Sequence, residues 1–443
     1  MDKNLTIEKR MEELKKIYSK LEEILDKLPD SLPESVKETI TKSILGNEEL
    51  KDLMEGIEKR RPPRLLLVGR TGVGKSSLIN ALCEGYVAEV NDVKSCTANV
   101  KFYSCKDGER VLFDIMDSRG IAENVELDDG ISAEEELLNG ITEFNPDAVL
   151  FVLRCDIRDE SINEDIEFLK KARQRYYEYN YQEIPVIVVV NRADAVPSPR
   201  DTKVPYQEKK LNKINQIVEA YKNSFREKKF KVVDVIAVSS LIEWQNNGEY
   251  ISTDEIEYLT EKERQNLTVE FDGRYNIETL RDTIEEAIQD YEAKMGFKMA
   301  LKLDELVLKL AKQIRKIFGS IAGIVAATPI PLSDIYILVT LQAVMVMMIA
   351  ILSGRKMSIQ LARDFILSVG GIGVSGFSFR LLAQQASKLL NLIVPVAGSA
   401  ISTAIATGGT LTIGSAAIEY YIKDKDLEEV KHNLKKYKES ERE

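Results

Sequence analysis

Gly69-Arg-Thr-Gly-Val-Gly-Lys-Ser76 follows the aliphatic run Leu65–Val68 and precedes Ser77-Leu-Ile-Asn-Ala-Leu82, which has helical spacing. A glycine-rich turn between a strand and a helix lets the backbone aim its N–H groups inward, and the helix N-terminus adds the positive end of a dipole. Such a turn cradles phosphates when the strand and helix flank it in this order. Gly69, Arg70, Thr71, Gly72, Val73 and Gly74 then wrap the phosphate chain. Lys75 reaches its β- and γ-phosphates, and the Ser76 hydroxyl, with Ser77 beside it, faces a Mg²⁺ ion.

Outward from this turn, Leu65–Val68, Val111–Met116, Ala148–Val152, Ile184–Val190 and Val232–Val238 are short aliphatic runs, most of them separated by helical patterns. Buried strands alternating with helices predict an α/β fold, an open and mainly parallel sheet with helices on both faces. Trp244 to Arg274 is polar and reads as an irregular insertion before a last helix, Ile277 to about Ala293.

Three strand ends carry polar residues that specify the ligand. Asp117-Ser-Arg-Gly120 ends one run and places Asp117 near the metal and the Gly120 N–H near a γ-phosphate. Thr97, between the cradle and that run, is the candidate for sensing both the γ-phosphate and the metal, with Ser95 as the alternative. Asn191-Arg192-Ala-Asp194 caps the most aliphatic run. There the Asp194 carboxylate can accept from guanine N1–H and the exocyclic amine, a donor pair that adenine lacks. Ser239-Ser240 ends the next run, and the Ser240 N–H can donate to guanine O6. The expected ligand is therefore GTP or GDP with Mg²⁺, and an ATPase is disfavoured.

The 443 residues allow two or three domains, and 44% hydrophobic with 30% charged residues is ordinary globular composition. The net charge of −11 argues against a broad nucleic-acid surface. The charge is uneven: from Gly296 onward Lys and Arg number 18 against 12 Asp and Glu, a net of +6, whereas residues 1–295 carry −17. Cys83, Cys96, Cys105 and Cys155 lack metal or disulfide spacing, which points to reduced thiols in a cytosolic protein. A single histidine, His432, leaves almost no scope for histidine chemistry, and no signal peptide is expected.

Composition predicts an all-α N-terminal arm (1–62), an α/β domain (63–295) and an apolar all-α C-terminal domain (296–443). Ile7, Met11, Leu14, Tyr18, Leu21, Leu25 and Leu28 form one helical stripe, Pro29–Pro33 break it, and a second helix runs to about Lys59. The arm reads as a hairpin packed on another domain or as a dimerising coiled coil. In the C-terminal domain, uncharged runs at Ile317–Ser333, Ile335–Gly354, Phe365–Phe379 and Leu389–Ile418 have 17, 20, 15 and 30 residues. About 20 apolar residues span a bilayer. Lys312, Arg315 and Lys316 precede the first run, and Arg355 and Lys356 follow the second, placed to meet anionic headgroups. A protein-buried bundle is the competing reading of the same runs.

On Gly69–Ser76, Thr97, Asp117–Gly120, Asn191–Asp194 and Ser239–Ser240, residues 63–293 resemble an Era-like P-loop GTPase domain. The resemblance implies Mg²⁺-dependent GTP hydrolysis, with Lys75, Thr97 and Gly120 in catalytic roles and Ser76, Thr97 and Asp117 around the metal. Arg192 stands where such domains usually carry Lys, Ser118-Arg119 depart from the common Thr-Pro, and Gly72 replaces the Asn of potassium-activated relatives. Ile121 follows Gly120 where a water-orienting Gln would sit, which implies slow intrinsic turnover. Leu310–Tyr421, through Pro329-Ile-Pro331 and Leu332-Ser-Asp334, resembles a helical domain of unknown function found behind bacterial GTPase domains and in inner-membrane proteins. A looser similarity is to immunity-related GTPases, whose N- and C-terminal helices form one helical domain. Together these readings predict a GTPase at the cytoplasmic face of a membrane, with a membrane or membrane protein as partner. A homodimer through the GTPase domain or the N-terminal helices is a further expectation. The alternatives are a ribosome- or RNA-linked GTPase and a slow or non-hydrolysing GTP-dependent scaffold.

Overall fold

The computed structural model describes residues 7–19, 34–83, 86, 88–90, 100–107, 110–118, 133–156, 162–197, 203–256, 258–260, 263–264, 266–327, 334–373 and 403–440. In chain order the first helices are α1 (Ile7–Ser19), α2 (Glu34–Leu45) and α3 (Glu48–Lys59). The α/β region holds β1 (Arg64–Val68), α4 (Lys75–Cys83), β2 (Ala88–Val90), β3 (Val100–Asp107), β4 (Arg110–Ser118), α5 (Ala133–Phe144), β5 (Ala148–Arg154) and α6 (Ile162–Asn180). It continues with β6 (Val186–Asn191), a 3₁₀ turn (Ala193–Ala195), α7 (Glu208–Glu227), β7 (Val235–Ala237), β8 (Ser239–Asn246), β9 (Glu249–Ile251), α8 (Thr253–Ile256), β10 (Thr268–Tyr275), α9 (Ile277–Ala287) and α10 (Tyr291–Leu301). The last helices are α11 (Leu303–Ala327), α12 (Asp334–Leu352), α13 (Ile359–Gly373), α14 (Thr403–Ala417), a π turn (Ile418–Ile422) and α15 (Leu427–Ser440).

Packing divides the chain into two units, Gly56–Lys302 and the combination of residues 1–55 with 303–443. In the first, a seven-stranded sheet has the order β2-β3-β4-β1-β5-β6-β7. β4, β1, β5, β6 and β7 run parallel, and β2 and β3 add an antiparallel edge. The aliphatic runs are strands because alternate residues fill two different cores. Leu66, Val68, Val149, Phe151, Leu153, Val188 and Val190 pack with α5, α6 and α7 on one face. Leu65, Leu67, Ala148, Leu150, Val152, Ile187 and Val189 pack with α4, α9 and α10 on the other. The mainly parallel sheet covered on both faces is therefore as the sequence predicts.

Three local readings change. Trp244–Arg274 is not irregular: β8 pairs with β9 and β10 in a second, antiparallel sheet, where Trp244, Ile256 and Leu267 form a small core. β8 and β10 each run eight residues, but most of their positions and those of β9 are exposed or half-buried, so their hydrophobic signal is weak. The last helix is two helices, because the Asp290 carboxylate accepts from the Ala293 N–H at 2.7 Å and caps a new start. The second N-terminal helix also divides, where the Asn47 side chain accepts from the Leu50 N–H at 2.9 Å and caps α3.

In the helical unit α12 lies at the centre. From Ile337 to Leu352 every residue except Val339 and Thr340 is buried. α1, α11, α13 and α14 all pack on it. An all-round apolar helix has to be covered on every side, and here protein covers it. Among the described residues no helix is long and apolar enough to cross a membrane. Small residues on α11 and α14 allow close approach: a Cβ at Gly319 would lie 2.5 Å from Leu411, and one at Gly323 would lie 2.6 Å from Thr407. Polar side chains link parts of this unit in pairs. Gln342 donates to Thr410 at 2.9 Å, Arg315 donates to Ser415 at 2.7 Å, and Arg355 pairs with Asp424 beneath the rings of Tyr420 and Tyr421. On the described part of the N-terminal stripe, Leu14 is fully buried within this unit and Arg10 donates to the Leu352 carbonyl at 3.3 Å.

Candidate functional site

β1 is the point where strand order reverses, with β4 on one side and β5 on the other. The loops leaving its C-terminal end and those of its neighbours diverge there and open a crevice, which is where open parallel sheets bind ligands. Arg70–Gly74 occupies this place. Gly74 holds φ +88°, and a Cβ there would lie 2.6 Å from the Asn191 amide nitrogen; a Cβ on Gly69 would lie 2.6 Å from the Val152 carbonyl oxygen. Both glycines are thus required by close approach of the loop to the strands behind it.

The Lys75 ammonium turns back over the loop and donates to the Gly69 carbonyl at 3.0 Å. It also lies 3.5 Å from the Asp117 carboxylate. Asp117 reaches it because β4 pairs with β1 in register, Leu67 opposite Asp117. Thr71, Gly72, Ser76 and Ser77 are exposed, whereas Val73 is buried and anchors the loop. The Ser76 hydroxyl and the Asp117 carboxylate are two hard oxygen donors at the mouth of the cradle, the donor type that suits Mg²⁺. Among the described residues no cluster of three or more His, Cys, Asp or Glu could hold a metal. A Mg²⁺ bound mostly by phosphate oxygens and water requires none. The Arg70 guanidinium is half-buried, 3.7 Å from the carboxylate of Asp165, which is buried on α6.

The second half of the site stands on β6 and β8. Asn191 is fully buried; its amide donates to the carbonyls of Val73 at 3.0 Å and Gly74 at 3.3 Å, and its oxygen accepts from the Ser240 hydroxyl at 3.0 Å. One side chain thereby joins the Arg70–Gly74 loop to the ends of β6 and β8. Arg192 takes a left-handed conformation, φ 66°, and starts the 3₁₀ turn. The turn is closed by the Ala193 N–H donating to the Val238 carbonyl at 3.0 Å. Asp194 on that turn accepts from the Ser239 hydroxyl at 2.9 Å, which orients its carboxylate. The structure therefore brings together Gly69–Ser77, Asp117, Asn191–Asp194 and Ser239–Ser240. Thr97 and Gly120, with Ser95, Arg119 and Ile121, lie outside the described residues.

Two contributors were not legible as site residues. Lys210 on α7 is 1% exposed, donates to the Asp194 backbone carbonyl at 2.8 Å, and stands 4.1 Å above the Tyr206 ring. Its signal was its position: it shares the buried helix face of Ile214, Tyr221 and Phe225, an unusual place for a lysine. Asn276 donates to the Ala237 carbonyl at 3.1 Å and fixes the strand before Ser239. Nearby, the Arg154 guanidinium holds the Asp156 carboxyl below the usual carboxylate range. Burial pushes the Cys155 thiol up to about 12, with Asp156 and Asp194 adding to it.

Residues 64–192 match a family model described as 50S ribosome-binding GTPase, and residues 294–440 match one described as a domain of unknown function, DUF697. GTPase Der of Akkermansia muciniphila is 32% identical over 133 residues, 30% of this chain and 26% of that protein. The uncharacterized protein YkfA of Escherichia coli K12 is 30% identical over 133 residues, 30% of this chain and 42% of its own length. The tRNA modification GTPase MnmE of Thermotoga sp. RQ2 is 30% identical over 158 residues, 35% of this chain and 32% of that protein. The chain thus spans less than half the length of these relatives. Among solved structures, a probable GTP-binding protein engB aligns over 51% of this chain and 98% of its own, at 19% identity and a TM-score of 0.27. This chain carries a P-loop GTPase domain and, behind it, a C-terminal helical domain of unknown function.

Proposed function

We propose that the chain binds GTP with Mg²⁺, hydrolyses it to GDP and phosphate, and uses the nucleotide state to control engagement of its helical unit with a membrane or a membrane protein. The observation that carries the nucleotide half is Asn191, which ties the loop bearing Lys75 to the strand ends bearing Asp194 and Ser240. Phosphate cradle and base reader are thereby held as one piece.

In hydrolysis a water oxygen bonds to the γ-phosphorus as the bond to the β,γ-bridging oxygen breaks, and charge builds on the phosphoryl oxygens. Lys75 stabilises that charge after leaving the Gly69 carbonyl, and the inward N–H groups of 69–76 hold the β-phosphate. Bound Mg²⁺ would neutralise charge on the phosphate oxygens; Ser76 and Asp117, together with Thr97, are the residues that would hold it. Gly120 donates its N–H to the γ-phosphate. With Ile121 in place of a glutamine, intrinsic turnover is slow.

The membrane half rests on the net positive charge of residues 296–443 and on Lys312, Arg315 and Lys316 before the first apolar run; Arg355 after the second, expected to meet headgroups, is instead buried against Asp424. Its setting is the cytoplasmic face of a membrane, and association of two copies through the GTPase domain is a route to faster turnover. Two measurements test the reading. Phosphate release in single turnover should be abolished by Lys75→Ala, and full-length protein should float with anionic vesicles in one nucleotide state and not the other. Protein that stays at the bottom in every state removes the membrane half. A second reading, action on the ribosome or its RNA, draws on the description of the family matched at 64–192. Salt-sensitive co-sedimentation with ribosomal particles would favour it.

A further inference from the structure

A groove of about 590 Å³ opens on the helical unit, lined by Glu305, Leu308, Lys309, Lys312, Gln313, Arg315, Lys316 and Leu411. Lys309, Lys312 and Lys316 are exposed and follow one another at spacings of three and four, which places them on one face of α11. None of these three, nor Arg315, has a carboxylate partner among the described residues, although ion pairs are frequent elsewhere on this chain. Like charges at this spacing repel, at a small cost in helix stability that Glu305, one turn before Lys309, offsets only in part.

Arg315 departs from a solvated surface arginine. Its stem crosses Gly414, where a Cβ would lie 2.5 Å from Cγ of Arg315, and its Nη1 donates to Ser415 at 2.7 Å. The Nε–H is buried with no acceptor among the described residues. Arg315 lines the groove, and a guanidinium held by its neighbours presents its remaining Nη N–H groups in a fixed plane, a geometry preorganised for an oxyanion. Leu308 and Leu411 supply an apolar wall beside it.

We infer that this groove binds the phosphate of an anionic phospholipid headgroup, with Arg315 fixing one phosphate and Lys309, Lys312 and Lys316 meeting the surrounding surface charge. It rests on the membrane reading above and names the contact through which that reading would operate. Lipid is favoured over a soluble phosphate ester because the leucines lie next to the cations, matching the boundary where charge and acyl chain meet.

The test is vesicle co-sedimentation of the full-length protein, with phosphatidylcholine alone or mixed with phosphatidylglycerol, comparing wild type, Arg315→Met and the triple Lys309→Gln, Lys312→Gln, Lys316→Gln. Wild type should bind only the anionic vesicles. The triple variant should lose about a hundredfold in partitioning, Arg315→Met about tenfold, and both should keep basal GTP turnover without vesicles. Anionic vesicles that bind wild type and the triple variant equally would overturn the groove and leave the membrane reading standing. Failure of wild type to bind any vesicle overturns both. Calorimetric binding of inorganic phosphate by wild type without vesicle binding would assign the groove to a soluble ligand instead. RNA binding lost in the triple variant, with vesicle binding intact, would overturn the lipid assignment.

Discussion

The α/β unit and the helical unit both bury polar side chains, and they use them differently. In the first, two hydrogen-bonded groups, Asn191 with Ser240 and Lys210 with Asp194 and Ser239, are joined through the backbone of residues 191–194 and 239–240 and end at the mouth of a cradle. In the second, Gln342 on α12 with Thr410 on α14, and Arg355 with Asp424 in the turns beyond the helices, are separate pairs. A connected network transmits a loss at one member to the rest, whereas a pair can be removed as a unit. The difference separates side chains that shape a binding site from those that only join helices.

The most severe way to test that contrast is Gly74→Val. The φ of +88° and the 2.6 Å approach to Asn191 leave no room for a branched side chain. Guanine-nucleotide affinity should fall more than about a hundredfold, about 2.7 kcal/mol, in a fluorescent-GDP titration. Binding within a factor of a few of wild type would show that the brace is dispensable. Asp194→Asn should exchange preference from guanine to xanthine nucleotides by about a hundredfold, since the carboxylate is the acceptor for the guanine donors. Competition between GTP and XTP reads it, and an unchanged ratio would place base recognition elsewhere.

Lys210→Met probes the network one step from the ligand. The Asp194 carbonyl loses a charged donor, which costs about 1.5–3 kcal/mol for such a bond, and guanine-nucleotide affinity should drop about tenfold. If stability falls while affinity holds, Lys210 serves the fold alone. In the helical unit, Thr410→Val alone leaves the Gln342 amide without its acceptor and should cost about 1–3 kcal/mol. Adding Gln342→Leu should bring the loss back to within about 1 kcal/mol. Denaturant melts measure both, and a double variant worse than the single would make this pair part of a larger network. The smallest effect is expected at Cys155, whose thiol is pushed up to about 12. The folded protein should leave it unalkylated at pH 8, where a free thiol of pKa about 8.5 is partly ionised and reacts.

Much of the α/β unit was readable because its strands are aliphatic runs with glycine or polar punctuation. Leu65–Val68 and the run ending at Asn191 sit close to where the structure has them. β2, β3 and the β8–β9–β10 sheet were not, since edge and half-exposed strands lack a continuous apolar signal. The site's ligand-facing residues could be named because phosphate and guanine chemistry demand particular residue types at strand ends. Their supports could not: Lys210 looks like any charged helix residue until its partners Tyr206 and Asp194 are in place.

Sequence alone determined the nucleotide class, through Gly69–Ser76 and Asn191–Asp194, because a backbone cradle and a carboxylate acceptor are local requirements. It also determined that residues 335–354 had to be shielded from water. What shields them was a tertiary decision. An all-apolar helix satisfies a bilayer or a bundle equally well, and only the packing of α1, α11, α13 and α14 around α12 chose protein. The same packing decided which cations are paired. Arg355 is paired with Asp424, while Arg315 has no carboxylate partner among the described residues and lines an open groove.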